Sequence, residues 1–414
     1  MSTGTSGLFI AYEDIWLLDG VRTPFVDYCG ALGLVSPIDL GIKVARALFE
    51  RTKIAPPDVG SVTAGSVAQT SFDAYVLPRH IGLYSGVPTD RPALLVQRVC
   101  GTGIEAISQA ADAITLKKIE LGLCVGAESM SRNPVAAFTH RSGFRMGQVE
   151  FKDFLWEALL DTAPGVTMGE TAETVAGTYK ITREDVDRFA ELSFSRAVAA
   201  QKSCFLSGEI VSLVSETFEL SGYRPRGIQL PKGVASLTVD THVRPSSFEA
   251  LSKIPPAFGG VQTGGNSSAI VDGAAAALVG SGAYAKSKGI QPLARIASVA
   301  TVGLRPEIMS MGPAPAIRKL IGDAGLTLGQ IDRFEINEAF AAQLIAVERE
   351  LRIDRNKLNV NGGAIAIGHP LAATGIRLAL TLSRELRHSK LRYGIAAACI
   401  GGGQGIAVLL ENPN

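Results

Sequence analysis

The chain has 414 residues, a length that predicts two or three domains. Hydrophobic residues make up 46% and charged residues 19%, which is typical of a packed globular protein and excludes a disordered or fibrous one. The 40 Lys and Arg nearly balance the 39 Asp and Glu. Nucleic-acid binding depends on accumulated positive charge, so we expect no nucleic-acid partner.

Targeting features give a second set of expectations. No run of about 18 apolar residues occurs, which predicts that the chain does not span a membrane. The N-terminal segment lacks a basic region followed by an apolar one, and the C-terminus lacks a peroxisomal tripeptide. The cysteines are odd in number and form no CxxC pair, which favours a reducing compartment, and we expect the cytoplasm. They are Cys29, Cys100, Cys124, Cys204 and Cys399.

Short apolar runs alternate with helical patterns over the first 131 residues. The predicted strands are Ile15 to Leu18, Val62 to Val67, Ala93 to Val96 and Leu121 to Val125. The predicted helices are Pro37 to Arg51 and Gly101 to Lys118. This alternation is typical of βαβ units and predicts an α/β fold with a mostly parallel sheet.

Residues 132–255 are more polar and give few strand signals. One helix is predicted from Thr182, because Asp185 completes a capping box and the apolar residues after it share a face. We interpret this region as a mostly helical and irregular insert that covers a site.

The strand–helix alternation resumes at Leu293. Predicted strands are Ile296 to Val302, Phe334 to Ile336, Gly394 to Cys399 and Ile406 to Leu410, and predicted helices are Ala314 to Ala324, Ala339 to Leu351 and Leu371 to Arg387. In each half a Gly-rich turn opens a helix, and a strand ends 28 residues after Cys100 and 30 residues after His369. This weak duplication places Cys100 and His369 at equivalent positions facing one crevice.

Cys100 is a candidate nucleophile. A thiol at a helix N-terminus is expected to have a lowered pKa, and the thiolate is the reactive form. A buried structural cysteine is the alternative for this residue taken alone. A dinucleotide-binding turn is a further alternative, because Gly101, Gly103 and Ala106 match its fingerprint and Glu128 follows at a suitable distance. Three strand signals precede this turn, however, and the second Gly-rich cluster is then left without a role.

Three other segments contain candidate groups. His369 lies in a Gly-rich run before a helix, where it is either a structural residue or a base. Cys399 precedes three glycines, whose N–H groups suit either an oxyanion site or a tight turn. Asn337 lies between a strand and a helix, either as an N-cap or as an amide that orients a water. The sequence has no HExxH, paired CxxC or acidic Mg²⁺ cluster, so we expect no catalytic metal.

Together these motifs resemble the thiolase family, the acetyl-CoA C-acyltransferases, from about Ile15 to Leu410. The matching segments are VRTPF, CGTG at Cys100, MGETAE at Met168, GGNSSAIVDGAAA around Ser268, NEAF at Asn337, GHPLAATG at His369 and CIGGGQG at Cys399. The resemblance implies two βαβαβαββ halves in five α-β-α-β-α layers with an inserted loop domain. The N-terminal half would comprise residues 1–131 and be completed by residues 256–291. The loop domain over the CoA site would comprise residues 132–255, and the C-terminal half residues 292–414.

The resemblance also implies roles for individual residues. Cys100 matches the acylated nucleophile, His369 its base, and Cys399 the thiol that moves a proton at the α-carbon of acetyl-CoA. Asn337 matches the residue that holds a water in a first oxyanion hole, lined by His369. The backbone N–H groups of Cys100 and Gly401 match those of a second oxyanion hole. Positions around the CoA tail or acyl group are matched by Met168, Arg244, Phe258, Ser268, Ala339 and Phe340.

The implied reaction is acyl transfer in fatty-acid metabolism, with acyl-CoA, acetyl-CoA and CoA as substrates and no cofactor. The resemblance further implies a homodimer or homotetramer, with Arg141 to Met146 similar to a loop that joins dimers in tetrameric members. Gln97, Thr102 and the pair Val166-Thr167 depart from common family residues, which leaves acyl specificity open.

Alternatives remain from other classes: a condensing enzyme that uses carrier-protein substrates, an NAD-dependent Rossmann dehydrogenase, and a non-catalytic CoA- or lipid-binding protein. The first usually has histidine where this chain has Cys399.

Overall fold

The computed structural model describes residues 6–138 and 140–413. The elements up to residue 131 are β1 (Leu8–Ala11), β2 (Ile15–Arg22), β3 (Val26–Asp27), α1 (Pro37–Thr52), β4 (Ser61–Gly65), α2 (Leu77–Tyr84), β5 (Ala93–Leu95), α3 (Thr102–Thr115) and β6 (Leu121–Glu128). The amphipathic pattern that predicted α1 is confirmed, and Ser36 caps this helix by accepting from the N–H of Ile38.

The middle of the chain forms short elements around two longer helices. They are β7 (Val135–Ala136), β8 (Lys152–Asp153), α4 (Phe154–Ala158), β9 (Leu160–Asp161), β10 (Val166–Thr167), α5 (Met168–Tyr179), α6 (Arg183–Lys202), β11 (Glu216–Phe218), β12 (Arg226–Ile228) and α7 (Phe248–Leu251). The predicted capping box of Thr182 and Asp185 is present at the start of α6. Buried ion pairs from Arg22 to Glu209 and Asp240 fasten this region to β2.

The remaining elements complete both halves. They are β13 (Val271–Ser281), α8 (Gly282–Ser287), β14 (Ala294–Gly303), α9 (Pro313–Asp323), β15 (Arg333–Ile336), α10 (Ala341–Leu351), α11 (Ala364–Ile367), α12 (Leu371–His388), β16 (Tyr393–Ile400) and β17 (Gln404–Glu411). None of the helices in the described part of the chain is both long and apolar enough to cross a bilayer.

The main sheet has the order β15-β16-β17-β14-β2-β13-β6-β4-β5, with β1 beside β14 and β3 beside β13. Its two halves meet where β14 pairs with β2 over only two residue pairs. The expectation of a mostly parallel sheet is wrong: only β15–β16, β4–β5 and β4–β6 are parallel. Each half closes with antiparallel neighbours, because β13 inserts between β2 and β6 and β17 turns straight back on β16.

Helices lie between the two halves of the sheet and on their outer faces, which gives a layered structure. Helix α1 packs on β13 and β6 from one side, α3 and α12 lie between the halves, and α9 covers β17 and β14. Fifteen residues of α12 are buried, which is expected of a helix covered on both faces. The arrangement is the five-layered α-β-α-β-α order implied by the resemblance.

Glycines allow the two central helices to touch through their backbones. A Cβ on Gly103 of α3 would lie 2.8 Å from the carbonyl oxygen of Ala372 and from Cα of Gly375, both in α12. A Cβ on Gly126 of β6 would also collide with the backbone of Ala372. These close approaches bring the N-terminal ends of α3 and α12 together, and Cys100 and His369 lie just before them.

The strand predicted at Ala93 to Val96 is present as β5 and lies at the edge of the sheet, not in its buried middle. β5 ends the sheet, and the Leu94 side chain is 48% exposed.

Candidate active site

Cys100 lies in a strained turn between β5 and α3. Val99 before it has a φ of 44°, a value that β-branched residues rarely adopt. The Thr102 hydroxyl braces the turn, because it accepts from the N–H of Arg98 at 2.9 Å and donates to the carbonyl of Val99 at 2.7 Å. The turn directs Cys100 towards an apolar cluster that contains Met130 and Leu371.

The predicted lowering of the Cys100 pKa is contradicted. Burial raises the pKa of Cys100 to about 11, and the negative charge of Glu128 adds to the increase. The N–H groups of Gly401 and of Cys100 itself face the sulfur and lower the pKa, but by less than burial raises it. The resting group is therefore a thiol, and a neighbouring base has to take its proton before it can attack.

His369 is a neutral base in a fixed orientation. Its Nδ1 lies 2.6 Å from the Thr374 hydroxyl and its Nε2 lies 3.3 Å from Nδ2 of Asn337. Because the Asn337 amide donates, Nε2 accepts and the ring proton is on Nδ1, bonded to Thr374. Burial, helped by the positive charge of Arg377, lowers the pKa of His369 to about 3. Its Nε2 lone pair is thus free of a proton at neutral pH.

Asn337 directly follows β15, and the buried oxygen of its side-chain amide has no hydrogen-bond partner among the described residues. Its N–H donates to the carbonyl of Ala397 at 2.9 Å. The alternative role as a helix cap is wrong, because α10 begins at Ala341 and Phe340 occupies its N-cap position. A buried carbonyl oxygen without a partner suits a bound water or a substrate group.

Cys399 lies near the end of β16, fully buried against Met309, Ala339 and Phe340. Burial raises the pKa of this thiol far above its ordinary value, and the nearby Cys100 raises it further. Gly401, two residues on, packs against Met168 and Val99, since a Cβ there would lie 3.1 Å from the Met168 sulfur. The two cysteines and the Gly401 amide therefore meet at one place.

A mainly apolar cavity of about 440 Å³ lies beside this place: Met168 and Phe340, which contact Gly401 and Cys399, line it, but the two cysteines do not. Met168, Phe258, Ser268, Phe340 and His369 line it, as the resemblance implies. The N–H of Ser268 donates to the carbonyl of Ala339 at 3.0 Å, which ties that wall to the residue beside Cys399. An apolar cavity with a few polar groups is typical of a small-molecule site.

Arg244 is not among the residues that line the cavity. It is exposed, donates to the backbone carbonyl of His242 at 3.2 Å and lies 5.5 Å over the ring of Phe194. His242 and Asp27 line the cavity there and form a pair, with Nδ1 of His242 2.5 Å from Oδ1 of Asp27. Arg244 thus lies outside the cavity and contacts His242, which lines it.

The dinucleotide alternative is wrong on structural grounds. The space beside Gly103, which a pyrophosphate would need, is filled by the backbone of α12. Glu128 is fully buried and accepts hydrogen bonds from four protein groups, so it cannot reach a ribose.

Two residues of the site were not predicted as such from the sequence. Thr374 orients His369 through a hydrogen bond to its ring. The feature of the sequence that could have indicated this role is a hydroxyl residue five positions after the histidine, in the first turns of α12. Glu128 stood out only as part of the dinucleotide fingerprint, and only the fold brings it to the start of α12. Within residues 6–138 and 140–413, no group of three or more His, Cys, Asp or Glu is placed to hold a metal ion.

Comparison with known proteins gives one consistent family. A model of the thiolase N-terminal domain matches residues 15–283 and a model of the thiolase C-terminal domain matches residues 290–412. The mitochondrial 3-ketoacyl-CoA thiolase of Bos taurus is 40% identical over 402 residues, which are 96% of this chain and 98% of the relative. The acetyl-CoA acetyltransferase of Paracoccus denitrificans is 39% identical over 405 residues, 96% of this chain and 99% of that protein.

Solved structures agree in fold. Human mitochondrial 3-ketoacyl-CoA thiolase in complex with CoA superposes with a TM-score of 0.90 at 39% identity, covering 96% of this chain and 98% of that one. The Bacillus anthracis acetyl-CoA acetyltransferase gives a TM-score of 0.89 at 37% identity, covering 97% and 99%. With both family models matched in order and the fold shared over nearly its whole length, this chain belongs to the thiolase family.

Proposed function

We propose that this thiolase transfers an acyl group through a thioester on Cys100. In one direction it condenses acetyl-CoA with an acyl-CoA, and in the other it cleaves a 3-ketoacyl-CoA with CoA. The observation that carries the proposal is the meeting of the Cys100 and Cys399 thiols and the Gly401 amide beside an apolar cavity that the neutral His369 lines. Relatives are named for both directions of this chemistry.

The first half-reaction is acylation. Nε2 of His369 takes the Cys100 proton, and the thiolate attacks the thioester carbonyl of the acyl donor. The tetrahedral intermediate collapses with cleavage of the bond between the carbonyl carbon and the CoA sulfur. The CoA thiolate leaves with the proton from His369, and the acyl group stays on Cys100.

The second half-reaction forms the carbon–carbon bond. Cys399 passes its proton to the neutral His369 and, as a thiolate, takes an α-proton from acetyl-CoA. The resulting carbanion attacks the acyl group on Cys100, which leaves as a thiolate and takes the proton from His369. We assign the N–H groups of Cys100 and Gly401 to one thioester oxygen, and His369 with a water on Asn337 to the other. Each well-placed donor contributes on the order of 3 kcal/mol to the transition state.

Coenzyme A thioesters are substrates in this scheme, and the scheme needs no further cofactor. We assign the pantetheine arm and acyl group to the cavity walls at Met168, Phe258, Ser268 and Phe340. Arg244, just outside the cavity, is available to an anionic part of CoA. The region 132–255 supplies Met168 and Arg244, which supports its assignment as a loop domain over the CoA site.

The test is thiolysis of a series of 3-ketoacyl-CoA substrates of increasing chain length by the purified enzyme. We expect CoA-dependent release of acetyl-CoA, with the preferred length given by kcat/KM, and no activity for Cys100→Ala. Activity only with carrier-protein substrates would support the condensing-enzyme alternative. Cleavage that persists in Cys100→Ala would refute the acyl-enzyme.

A homodimer or homotetramer and a cytoplasmic location are also proposals. The exposed edge strand β5, with Leu94 and the nearby exposed Phe72 and Tyr75, supports an oligomer. The proposed cytoplasmic location is supported by the free cysteines, which suit a reducing compartment, whereas the Bos taurus relative is named as mitochondrial.

A further inference from the structure

Glu128 is a buried carboxylate at the end of β6 that the reaction scheme does not use. Its side chain has no exposed surface, and four groups donate to it. Oε1 accepts from the Ser66 hydroxyl at 3.1 Å and from the N–H of Ala68 at 3.0 Å. Oε2 accepts from the N–H of Val67 at 3.0 Å and from the N–H of Ala372 at 3.2 Å.

These donors belong to two segments, one that lies beside Cys100 in the fold and one that follows His369 in the chain. Val67 packs on the same apolar cluster as Cys100, together with Leu371. Ala372 is in the first turn of α12, three residues after His369. Glu128 therefore connects the turn that follows β4 with the helix start that carries the base.

The hydrogen-bond partners favour the ionised carboxyl. Three of the four are backbone N–H groups, which can only donate, and one of these lies at the N-terminus of α12, where a negative charge is stabilised. Burial raises the pKa of Glu128, and the hydrogen bonds from Val67, Ala68 and Ala372 oppose that increase without cancelling it. We assign the ionised form because three of its four partners can only donate. The charge is felt at the nucleophile, where it contributes to the raised pKa of Cys100.

We propose that Glu128 is a positioning residue of the acyl-transfer reaction, whose carboxylate fixes the start of α12, and with it His369, relative to Cys100. The proposal rests on the proposed roles of Cys100 and His369. It has a second consequence: the same charge adds to the effect of burial on Cys100, which stays a thiol until it transfers its proton to His369.

The decisive variant is Glu128→Gln, which keeps the shape but removes the charge and places an amide NH₂ against N–H donors. We expect kcat for thiolysis to fall on the order of 10- to 100-fold with little change in KM, because a displaced base slows the chemistry without touching CoA. We also expect the pH profile of Cys100 alkylation by iodoacetamide, followed by peptide mass mapping, to move to lower pH, because one of the contributions that raise the Cys100 pKa is removed.

A merely structural role for Glu128 does not predict that pH shift. Besides Glu128, the titratable groups that bear on Cys100 are the thiol of Cys399 from β16 and the neutral His369 before α12. Neither changes charge in the variant at neutral pH. A more acidic Cys100 combined with slower turnover is therefore the signature of the proposal.

The matched control is Glu209→Gln. Glu209 is also fully buried and accepts from Nε of Arg22 and from the hydroxyl of Thr381, neither of which belongs to the site. We expect this variant to leave the pH profile of Cys100 alkylation in place, even where it lowers stability. An equal shift in both variants would mean that the effect is a general loosening, and the proposal would be overturned.

A second variant tests the anchor without the charge. Ser66→Ala removes one donor and keeps the carboxylate, so we expect lower kcat and an unshifted pH profile of Cys100 alkylation. If Glu128→Gln does not fold, unchanged kcat in Ser66→Ala is enough to overturn the proposal. Two outcomes separate this proposal from the proposed function. If Cys100 of the unmodified enzyme is acylated normally but the pH profile of Cys100 alkylation is unshifted in Glu128→Gln, only the role of Glu128 is overturned. If Cys100 is not acylated, the proposed function is overturned.

Discussion

Two thiols with raised pKa values meet in this site, and their surroundings differ. Cys100 lies in a strained turn and packs near Met130 and Leu371, which line the cavity on one side. Cys399 is enclosed by Met309, Ala339 and Phe340 on the other side. Because neither is ionised at rest, each has to be activated by a partner, and the two are expected to act in different steps.

Cys399→Ala separates those steps. Acylation needs Cys100, His369 and backbone donors, all of which remain, so intact-protein mass after mixing with an acyl-CoA should still show the acyl-enzyme. Condensation and the exchange of acetyl-CoA α-hydrogens with deuterated water should both be lost, because the α-proton acceptor is gone.

Cys100→Ala provides the comparison, since it should form no acyl-enzyme while it retains slow exchange. A folded Cys399→Ala protein that fails to acylate, or that exchanges at the normal rate, contradicts the role given to Cys399.

The buried His369 makes stability depend on pH in a defined direction. Its pKa is about 3 in the folded protein against 6.5 for the ordinary group, so the unfolded chain binds more protons between these values. The stabilising contribution of the neutral ring is fully present above pH 6.5 and is lost as pH falls towards about 3. Thermal unfolding of the wild type and of His369→Gln, measured from neutral pH to about pH 4.5, should show a steeper loss in the wild type. Parallel curves contradict a neutral, buried His369.

At the level of secondary-structure elements, the site depends on how closely α3 and α12 approach. Gly103 of α3 and Gly375 of α12 face each other, and the Cβ of any larger residue at 103 meets the backbone of α12. Backbone cannot move aside as a side chain can, so separation of the helices is the expected response.

Gly103→Ala should lower the free energy of unfolding by about 1–3 kcal/mol in urea titrations and should reduce kcat by separating Cys100 from His369. Gly177→Ala is the matched control, because Gly177 lies exposed on α5 and a methyl group there would have no atom within 4 Å. That variant should be more stable by about 0.5–1 kcal/mol, since alanine is the better helix former. Equal effects of the two changes contradict the close crossing.

In the molecule as a whole, the main sheet has an open edge at β5. A free edge offers unpaired backbone groups, and native proteins usually protect such edges with charge or cover. Here the edge presents Leu94, and Phe72 and Tyr75 are also exposed. We therefore expect a second copy of the chain to cover this face.

Leu94→Lys should weaken the oligomer, because a charged side chain on an edge strand opposes pairing. Leu116→Lys is the control: Leu116 is also exposed, but it lies at the end of α3 and away from the edge. Sedimentation velocity over a range of concentrations should show dissociation of the first variant only. A wild-type protein that is a stable, active monomer contradicts the expectation.

The family and most of the alternating strands and helices could be predicted from the amino-acid sequence, although the long strand β13 was not. Cys100 and His369 each lie in a Gly-rich turn before a helix, and Cys399 lies near the end of β16 just before such a turn. Gly-rich turns are local features that short segments specify. The helix start at Thr182 was predictable for the same reason, since a capping box is completed within four residues.

The strand directions and the protonation states depend instead on contacts between distant parts of the chain. Strand β13 inserts between β2 and β6 from far along the chain, and this long-range pairing makes the sheet mainly antiparallel although the local pattern predicted parallel strands. The helix N-terminus, a local feature, predicted a lowered Cys100 pKa, but the pKa is raised because burial depends on everything packed around the sulfur. The role of Glu128 could not be predicted for the same reason: its donors include groups 60 and 244 residues away, and only the folded chain brings them to one carboxylate.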